Sequence, residues 1–171
     1  MAGLFLRSEV PAEFPRDEKI EIANADGSLS AKLSISDGGL VLQDSKTVLV
    51  AFDPLKSFGP SAFGVLRVRP VAGDGAPGEW QPLANLIRVP TLKEIHCSGT
   101  ADQQCTLQGT NLFFLESVAS DAQFTHAVPV PQGFAGTSLH VPRPDGTLLY
   151  LKLRDDPTAV NTASLPVIPE P

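Results

Sequence analysis

Two cysteines that lie close together in the sequence are the residues whose spacing points most directly to covalent chemistry. Cys97 and Cys105 flank a polar segment between two runs that have the composition of β-strands. Antiparallel strands joined by such a loop can bring two Cα atoms within the ~4.4–6.8 Å that a disulfide requires. The spacing therefore predicts a disulfide, and two buried thiols in a reducing compartment are the alternative.

The three histidines belong to no recognisable catalytic or metal-binding motif. His96 precedes Cys97, but neighbouring residues of a strand point to opposite faces, so these side chains are poorly placed to share one metal ion. The sequence contains no G-x-S-x-G motif. It also shows no compact nucleophile–base–acid spacing among the many serines, His126 and His140. We therefore expect a protein that is not an enzyme, with no catalytic residue and no cofactor.

The sharpest acidic cluster is Asp155-Asp156, which lies after an apolar run and before a proline. Paired carboxylates on a loop at a strand end can bind Ca²⁺, with Asp53 or Asp74 as further ligands if the loops converge. The favoured alternative is a solvated turn in which Arg154 pairs with a neighbour. We predict no metal site, and Asp155 and Asp156 are the candidate ligands if one exists.

Aromatic residues other than phenylalanine are scarce, since Trp80 and Tyr150 are the only tryptophan and tyrosine. A carbohydrate-binding face usually presents several exposed Trp and Tyr rings, so the composition disfavours that class of site. Phe58, Phe63 and Phe134 lie in loops rich in Gly, Pro and Ser, and exposed loop aromatics are typical of partner contacts. Trp80 and these three phenylalanines are the candidate interaction residues.

Short strands separated by turn residues are the dominant pattern along the chain. Apolar and polar residues alternate over residues 29–35, and a buried-strand composition over residues 47–52 ends at Asp53-Pro54. Residues 148–153 follow a Pro-Asp-Gly turn that suits a hairpin. Helical periodicity is almost absent. The pattern predicts an all-β protein with an immunoglobulin-like β-sandwich fold, arranged as two tandem units.

Length and composition exclude several classes of protein. The chain has 171 residues, 42% of them hydrophobic, and a net charge of −6. This apolar content is enough for a core and excludes wholesale disorder. No apolar run approaches the ~18 residues of a membrane helix, so we expect no membrane insertion. The acidity argues against nucleic-acid binding.

The two halves of the chain share loosely similar segments in the same order. Residues 3–8 resemble residues 111–117, residues 65–70 resemble residues 149–154, and proline-flanked exit strands follow at residues 82–90 and 163–169. The similarity is either a true duplication or a chance match between strands. A duplication places the units at 1–90 and 91–171, with the first unit lacking its opening strands.

The second half resembles a known family of modules. The opening strand at Pro90–Cys97 is followed by the L-x-G-x-N-L segment at Leu107–Leu112, and over about residues 90–171 this is similar to an IPT/TIG domain. That family comprises immunoglobulin-like modules of bacterial surface proteins, plexins and some transcription factors. The resemblance implies a sandwich fold, a spacer or adhesive role and no catalytic residues.

These observations predict a non-enzymatic structural or protein-interaction module of a larger secreted or envelope protein. The expected location is extracellular, periplasmic or in the cell envelope. The alternative functions are a carbohydrate-binding module and a calcium-dependent binding domain. The expected partner is another protein or further domains of the same chain. If the first unit lacks its opening strands, it exposes a sheet edge that could pair with a strand or self-associate.

Overall fold

The protein consists of two compact units whose regular structure is almost entirely β. The computed structural model describes residues 2–9, 13–99 and 105–170. The chain divides into Met1–Leu86 and Ile87–Pro171. The prediction of an all-β protein is confirmed. The division falls a few residues before the predicted boundary at 90–91, because Ile87 packs against the core of the second unit.

The first unit is built from two antiparallel sheets. Its strands are β1 Ala2–Arg7, β2 Lys19–Asn24, β3 Ser30–Leu33, β4 Leu40–Leu42, β5 Thr47–Phe52, β6 Gly64–Val71 and β7 Gln81–Leu86, and its helix is α1 Pro54–Phe58. The sheets have the orders β1-β5-β4 and β3-β2-β6-β7. Alternation in β5 turns Val48, Val50 and Phe52 inward, where they form a core with buried residues of β2 and β6.

The second unit also contains two sheets. Its strands are β8 Thr91–Ser98, β9 Cys105–Thr110, β10 Leu115–Ala119, β11 Val128–Pro129, β12 Ser138–Val141, β13 Leu148–Leu153, β14 Asp156–Ser164 and β15 Val167–Glu170. A 3₁₀ turn spans Leu112–Phe114. The sheet orders are β12-β9-β8-β15 and β11-β10-β13-β14, and β15 runs parallel to β8. A second core of buried apolar residues, Ile95, Leu107, Val141 and Leu149 among them, lies between these sheets.

The strand order of the second unit is that of an immunoglobulin-like sandwich. In that fold one sheet contains strands A, B and E, and the other contains C, F and G, with a C′ strand added in the variable type. β8, β9 and β12 occupy the A, B and E positions, and β11-β10-β13-β14 reproduces the order C′-C-F-G. The predicted immunoglobulin-like fold is therefore confirmed.

The first unit repeats most of this arrangement. The pair β1-β5 corresponds to β9-β12, and β3-β2-β6-β7 corresponds to β11-β10-β13-β14, while β4 is an additional strand. Among the described residues, no strand of the first unit corresponds to β8.

Only some of the similar sequence segments in the two halves lie in strands that are structurally equivalent. Residues 65–70 lie in β6 and residues 149–154 lie mainly in β13, which are equivalent strands. The match between residues 3–8 and 111–117 is wrong, because β1 and β10 lie in different kinds of sheet. Apolar strand sequences resemble one another whatever their place in a sandwich.

The L-x-G-x-N-L segment forms a tight corner after β9. A Cβ on Gly109 would press against the Thr91 carbonyl oxygen and lie 2.9 Å from Leu112 Cδ2, so only glycine fits there. Asn111 adopts a left-handed conformation with φ of 57°, which asparagine tolerates better than most residues. The corner places Leu112 in the core, where it is fully buried.

The predicted disulfide is present. Cys97 at the end of β8 is bonded to Cys105 at the start of β9, with the two Cα atoms 4.4 Å apart. Both residues are buried in the core of the second unit. The described residues contain no helix that is long and apolar enough to cross a membrane.

Candidate functional site

The most distinctive surface of the protein is the side of the first unit where β1 ends its sheet. Within the described part of the chain, β1 pairs only with β5, whereas the equivalent strand β9 pairs with both β12 and β8. An unpaired strand edge presents a row of backbone N–H and C=O groups that can pair with another strand. We call this edge the open edge.

An apolar groove lies beside the open edge, between β1 of one sheet and β7 of the other. Its larger cavity has a volume of about 460 Å³ and an adjoining cavity has a volume of about 240 Å³. Leu4 and Leu83 line both cavities. The other apolar residues of the larger cavity include Leu6, Phe14, Ile20 and Val68. We call this feature the open groove.

Three charged residues also line the open groove. Arg7, Glu18 and Arg69 are the charged residues that line it. Arg69 forms an ion pair of 2.6 Å with Glu21. Burial, followed by the charge of the neighbouring Asp17, raises the pKa of Glu18. The lining of the groove therefore combines apolar residues with a few charged side chains.

The outer face of the sheet β1-β5-β4 carries an apolar row. Phe5 lies opposite Leu49, which lies opposite Val41. Phe5 is 65% exposed and Val41 is 44% exposed, while Leu49 is half-buried. A Cβ on Gly3 would lie 3.4 Å from Leu49 Cδ1, so the Leu49 side chain leans over this glycine. We call Phe5, Leu49 and Val41 the outer row.

The equivalent face of the second unit is polar. There His96 lies opposite Thr106, which lies opposite His140. The His96 Nε2 atom lies 2.9 Å from Glu94 Oε1. Two strand spacings separate the two histidines by about 10 Å, too far for them to share a proton or a metal ion. His126 lies elsewhere, between β10 and β11.

Trp80, a predicted interaction residue, is held by two arginines. The guanidinium carbons of Arg67 and Arg69 each lie 4.3 Å from the centroid of its ring. Burial raises the pKa of Glu21, but the hydrogen bond and charge of Arg69 outweigh this effect, so its pKa lies below the ordinary value. Trp80 thus makes cation–π contacts with both arginines, and one of them, Arg69, also forms an ion pair with Glu21.

The three loop phenylalanines have different surroundings. Phe58 packs edge-on against Phe52, with ring centroids 5.3 Å apart. Phe134 is half-buried against the core of the second unit. Phe63 is 49% exposed. Phe63 is therefore the most exposed of the three.

The acidic pair does not form a shared carboxylate site. Asp155 Oδ2 accepts hydrogen bonds from the Arg88 backbone N–H at 2.9 Å and from Arg88 Nε at 2.8 Å, and its Oδ1 accepts from Nη2 at 2.7 Å. The Asp155 side chain is only 4% exposed. This hydrogen bonding holds the pKa of Asp155 below its ordinary value. The Asp156 carboxylate instead accepts from the Thr158 hydroxyl.

The prediction that Asp155 lies in a solvated turn is therefore wrong. Arg154 does not pair with it but donates to the carbonyl oxygens of Phe113, Val130 and Pro131. Arg88 lies far away in the sequence, so no local pattern could identify it as the partner. Within the described ranges, no group of three or more His, Cys, Asp or Glu residues is arranged to hold a metal ion.

Comparison with known proteins gives matches among solved structures, and none among family models or curated proteins. No family model matches the chain. No curated protein matches it. Several solved structures resemble it, and the three described next do so at TM-scores of 0.32, 0.27 and 0.26.

The first is SGBP-B of the Bacteroides ovatus mixed-linkage glucan utilization locus, in complex with a mixed-linkage heptasaccharide. It is 14% identical over 76% of this chain and 35% of that one, with a TM-score of 0.32. A chimeric titin Z1Z2 tandem is 15% identical over 98% and 90% of the two chains, with a TM-score of 0.27. The IG1+IG2 structure of DIP-gamma is 12% identical over 97% and 88%, with a TM-score of 0.26. The immunoglobulin-like assignment rests on the strand order and not on these similarities.

Proposed function

We propose that the protein is a non-enzymatic interaction module of a larger secreted or envelope protein, and that its first unit associates with a second copy through the outer row. The observation that carries the proposal is the alignment of Phe5, Leu49 and Val41 on a face that normally meets water. A contiguous apolar patch at the surface of a folded unit is typical of an interaction site.

The charge distribution leaves the outer row as a face on which a second copy can be accommodated. The chain has a net charge of −6, so most faces of two copies repel each other. The outward positions of β1, β4 and β5 contain no carboxylate, and Arg7 is their one charged residue. Two such faces can approach about a two-fold axis with each row packed against its counterpart.

The buried disulfide supports the proposed location. Disulfides persist in extracellular, periplasmic and surface compartments and are rare in reducing cytosol. The corner formed by Gly109 and Asn111 gives a structural reason for the G-x-N pattern, which supports an IPT/TIG-type second unit. In this proposal the second unit acts as a spacer.

The proposed association is weak. The outer face spans only three short strands. We therefore expect a small interface and a dissociation constant on the order of 100 µM. Such an association suits adhesive modules that act in many copies at a surface.

Sedimentation velocity over a concentration series tests the proposal. The wild-type chain is expected to form dimers reversibly, and Phe5→Ser is expected to remain monomeric. Phe63→Ser is the matched control, because Phe63 is also well exposed but lies outside the outer row. A wild-type chain that stays monomeric at millimolar concentration, or a dimer lost in Phe63→Ser and kept in Phe5→Ser, contradicts the proposal.

A further inference from the structure

A cleft lies beside the tight corner of the second unit, between that corner and the connection from β11 to β12. It has a volume of about 480 Å³, which is within the usual range for small-molecule sites. The corner contributes Thr110, Asn111 and Phe113 to its lining, and the connection contributes Phe134 and Thr137. We call this feature the corner cleft.

Hydrogen bonds hold the two walls of the corner cleft together. Arg154 donates from Nε to the Phe113 carbonyl oxygen at 2.7 Å and from Nη2 to the Pro131 carbonyl oxygen at 3.0 Å. One guanidinium therefore joins the corner to the start of the connection. The Gly109 N–H donates to the Thr137 carbonyl oxygen at 2.9 Å and joins the walls a second time. A cleft that is already formed binds a ligand without the entropic cost of ordering its loops.

Two phenylalanines line the corner cleft. Phe113 is 39% exposed, and its ring centroid lies 4.2 Å from that of Phe114. The Phe134 ring lies over Gly136, where a Cβ would lie 2.8 Å from Phe134 Cζ, so a larger residue at that position would displace the ring. The face of an aromatic ring carries partial negative charge and attracts the weakly positive hydrogens of C–H groups.

The polar side chains of the corner cleft are uncharged. Thr110, Asn111 and Thr137 are exposed, and within the described ranges their side chains form no hydrogen bond with the protein. The two hydroxyls and the amide can each donate and accept. Among the described residues that line the cleft, none carries a charge. The lining therefore suits a neutral ligand with many groups that donate and accept hydrogen bonds.

We propose that the corner cleft binds a neutral carbohydrate. The hydroxyl groups of a sugar donate and accept hydrogen bonds, which matches the side chains of Thr110, Asn111 and Thr137. The C–H face of a sugar ring packs against Phe113 and Phe134. A charged ligand would lose hydration without gaining an ion pair. A proline-rich segment matches less well, because proline has no N–H and offers only acceptors.

Binding at the corner cleft is independent of association through the outer row. The scarcity of Trp and Tyr disfavours a broad carbohydrate-binding face, whereas the corner cleft needs only two phenyl rings. For so small a contact, the expected dissociation constant is on the order of 1 mM. Weak binding of this kind gains strength when many copies act together at a surface.

An NMR titration of the isotope-labelled whole chain tests the proposal. The probes are cellohexaose, laminarihexaose and maltohexaose, each added to about 10 mM, well above the expected dissociation constant. Hexagalacturonate is the matched control ligand, because it has the same length and a carboxylate on every sugar. At least one neutral probe is expected to shift the amide resonances of residues 110–113 and 133–137. Hexagalacturonate is expected to leave them unshifted.

Three variants locate the bound sugar. Phe113→Ala removes a ring, and Thr137→Val keeps the side-chain shape and removes the hydroxyl. Each is expected to weaken binding about fivefold or more. Phe63→Ala is the matched control, because Phe63 is also well exposed but does not line the cleft. If Phe113→Ala does not fold, as judged by circular dichroism, Thr137→Val carries the test.

A further variant separates sugar binding from the self-association proposed above. Phe5→Ser is expected to remain monomeric and to keep its sugar binding. Failure of all the neutral probes to shift the cleft resonances overturns the proposal, because each probe offers the hydroxyl groups and C–H faces on which it rests. Equal binding of hexagalacturonate, or equal effects of Phe113→Ala and Phe63→Ala, also overturns it.

Discussion

Asp155 accepts three hydrogen bonds from Arg88, two from the guanidinium and one from the backbone N–H. The contact joins the start of the second unit to the turn between β13 and β14. The Arg88 guanidinium also lies 4.7 Å from the ring centroid of Phe114. A carboxylate that sequence analysis treats as a candidate calcium ligand is thus a structural anchor of the second unit.

Removing the Asp155 carboxylate is expected to destabilise the second unit. Asp155→Ala leaves the Arg88 guanidinium without its carboxylate, and loss of one partner of a buried ion pair costs about 3 kcal/mol or more. Urea unfolding followed by Tyr150 fluorescence measures this change. Asp156→Asn is the matched control, and its expected cost is within about 0.5 kcal/mol. Equal costs for the two variants would show that the Arg88 contact is not an anchor.

The same contact predicts a pH dependence of stability. Because the pKa of Asp155 is lower in the folded state, the unfolded state binds more protons in the acidic range, and stability falls as pH falls. The contribution of Asp155 is complete above the unfolded pKa of about 3.9 and disappears as pH drops through the folded pKa. The wild-type chain should therefore lose more stability than Asp155→Asn below about pH 4. Parallel pH profiles for the two proteins would contradict this expectation.

The disulfide is expected to resist reagents in the folded state. Cys97 is 3% exposed and Cys105 is fully buried, so reductant and alkylating agent have little access to either sulfur. Closing this short loop contributes about 2–3 kcal/mol in the chain-entropy model. Intact mass after alkylation should show no adduct until the protein is both unfolded and reduced. Immediate addition of two alkyl groups to the native protein would contradict the buried disulfide.

The tight corner after β9 predicts that alanine substitution lowers stability at one glycine and not at another. Gly109→Ala places a methyl group against the Thr91 carbonyl and Leu112, and overpacking of this kind costs about 1–3 kcal/mol. Gly99→Ala is the control, since no described residue apart from its chain neighbours lies within 4 Å of a Cβ at that position. Thermal unfolding compares the two. A similar melting temperature for both variants would contradict the close packing at Gly109.

Sequence patterns account for much of the fold because they depend on local chemistry. Alternation in Thr47–Phe52 identifies a strand with one buried face, and this strand is β5. The proximity of Cys97 and Cys105 in the sequence predicts a pairing that needs only one hairpin-like connection. Both are short-range properties of the chain.

The features missed from the sequence depend on long-range register. Alternation in β1 and β5 leaves Phe5 and Leu49 as outward apolar residues, but only the strand pairing places them opposite each other. The Arg88–Asp155 contact likewise joins distant segments. Phe58 lies in a loop-like sequence, yet it packs on Phe52 because α1 turns it back toward the core.

Hydrogen exchange at two protein concentrations tests the central proposal most directly. The wild-type chain is compared at about 10 µM and about 1 mM, on either side of the expected dissociation constant. We expect slower exchange at the higher concentration in β1, β4 and β5, with exchange in β9 and β12 unchanged. In Phe5→Ser we expect no difference between the two concentrations. Identical exchange at both concentrations, or added protection confined to the second unit, would contradict association through the outer row.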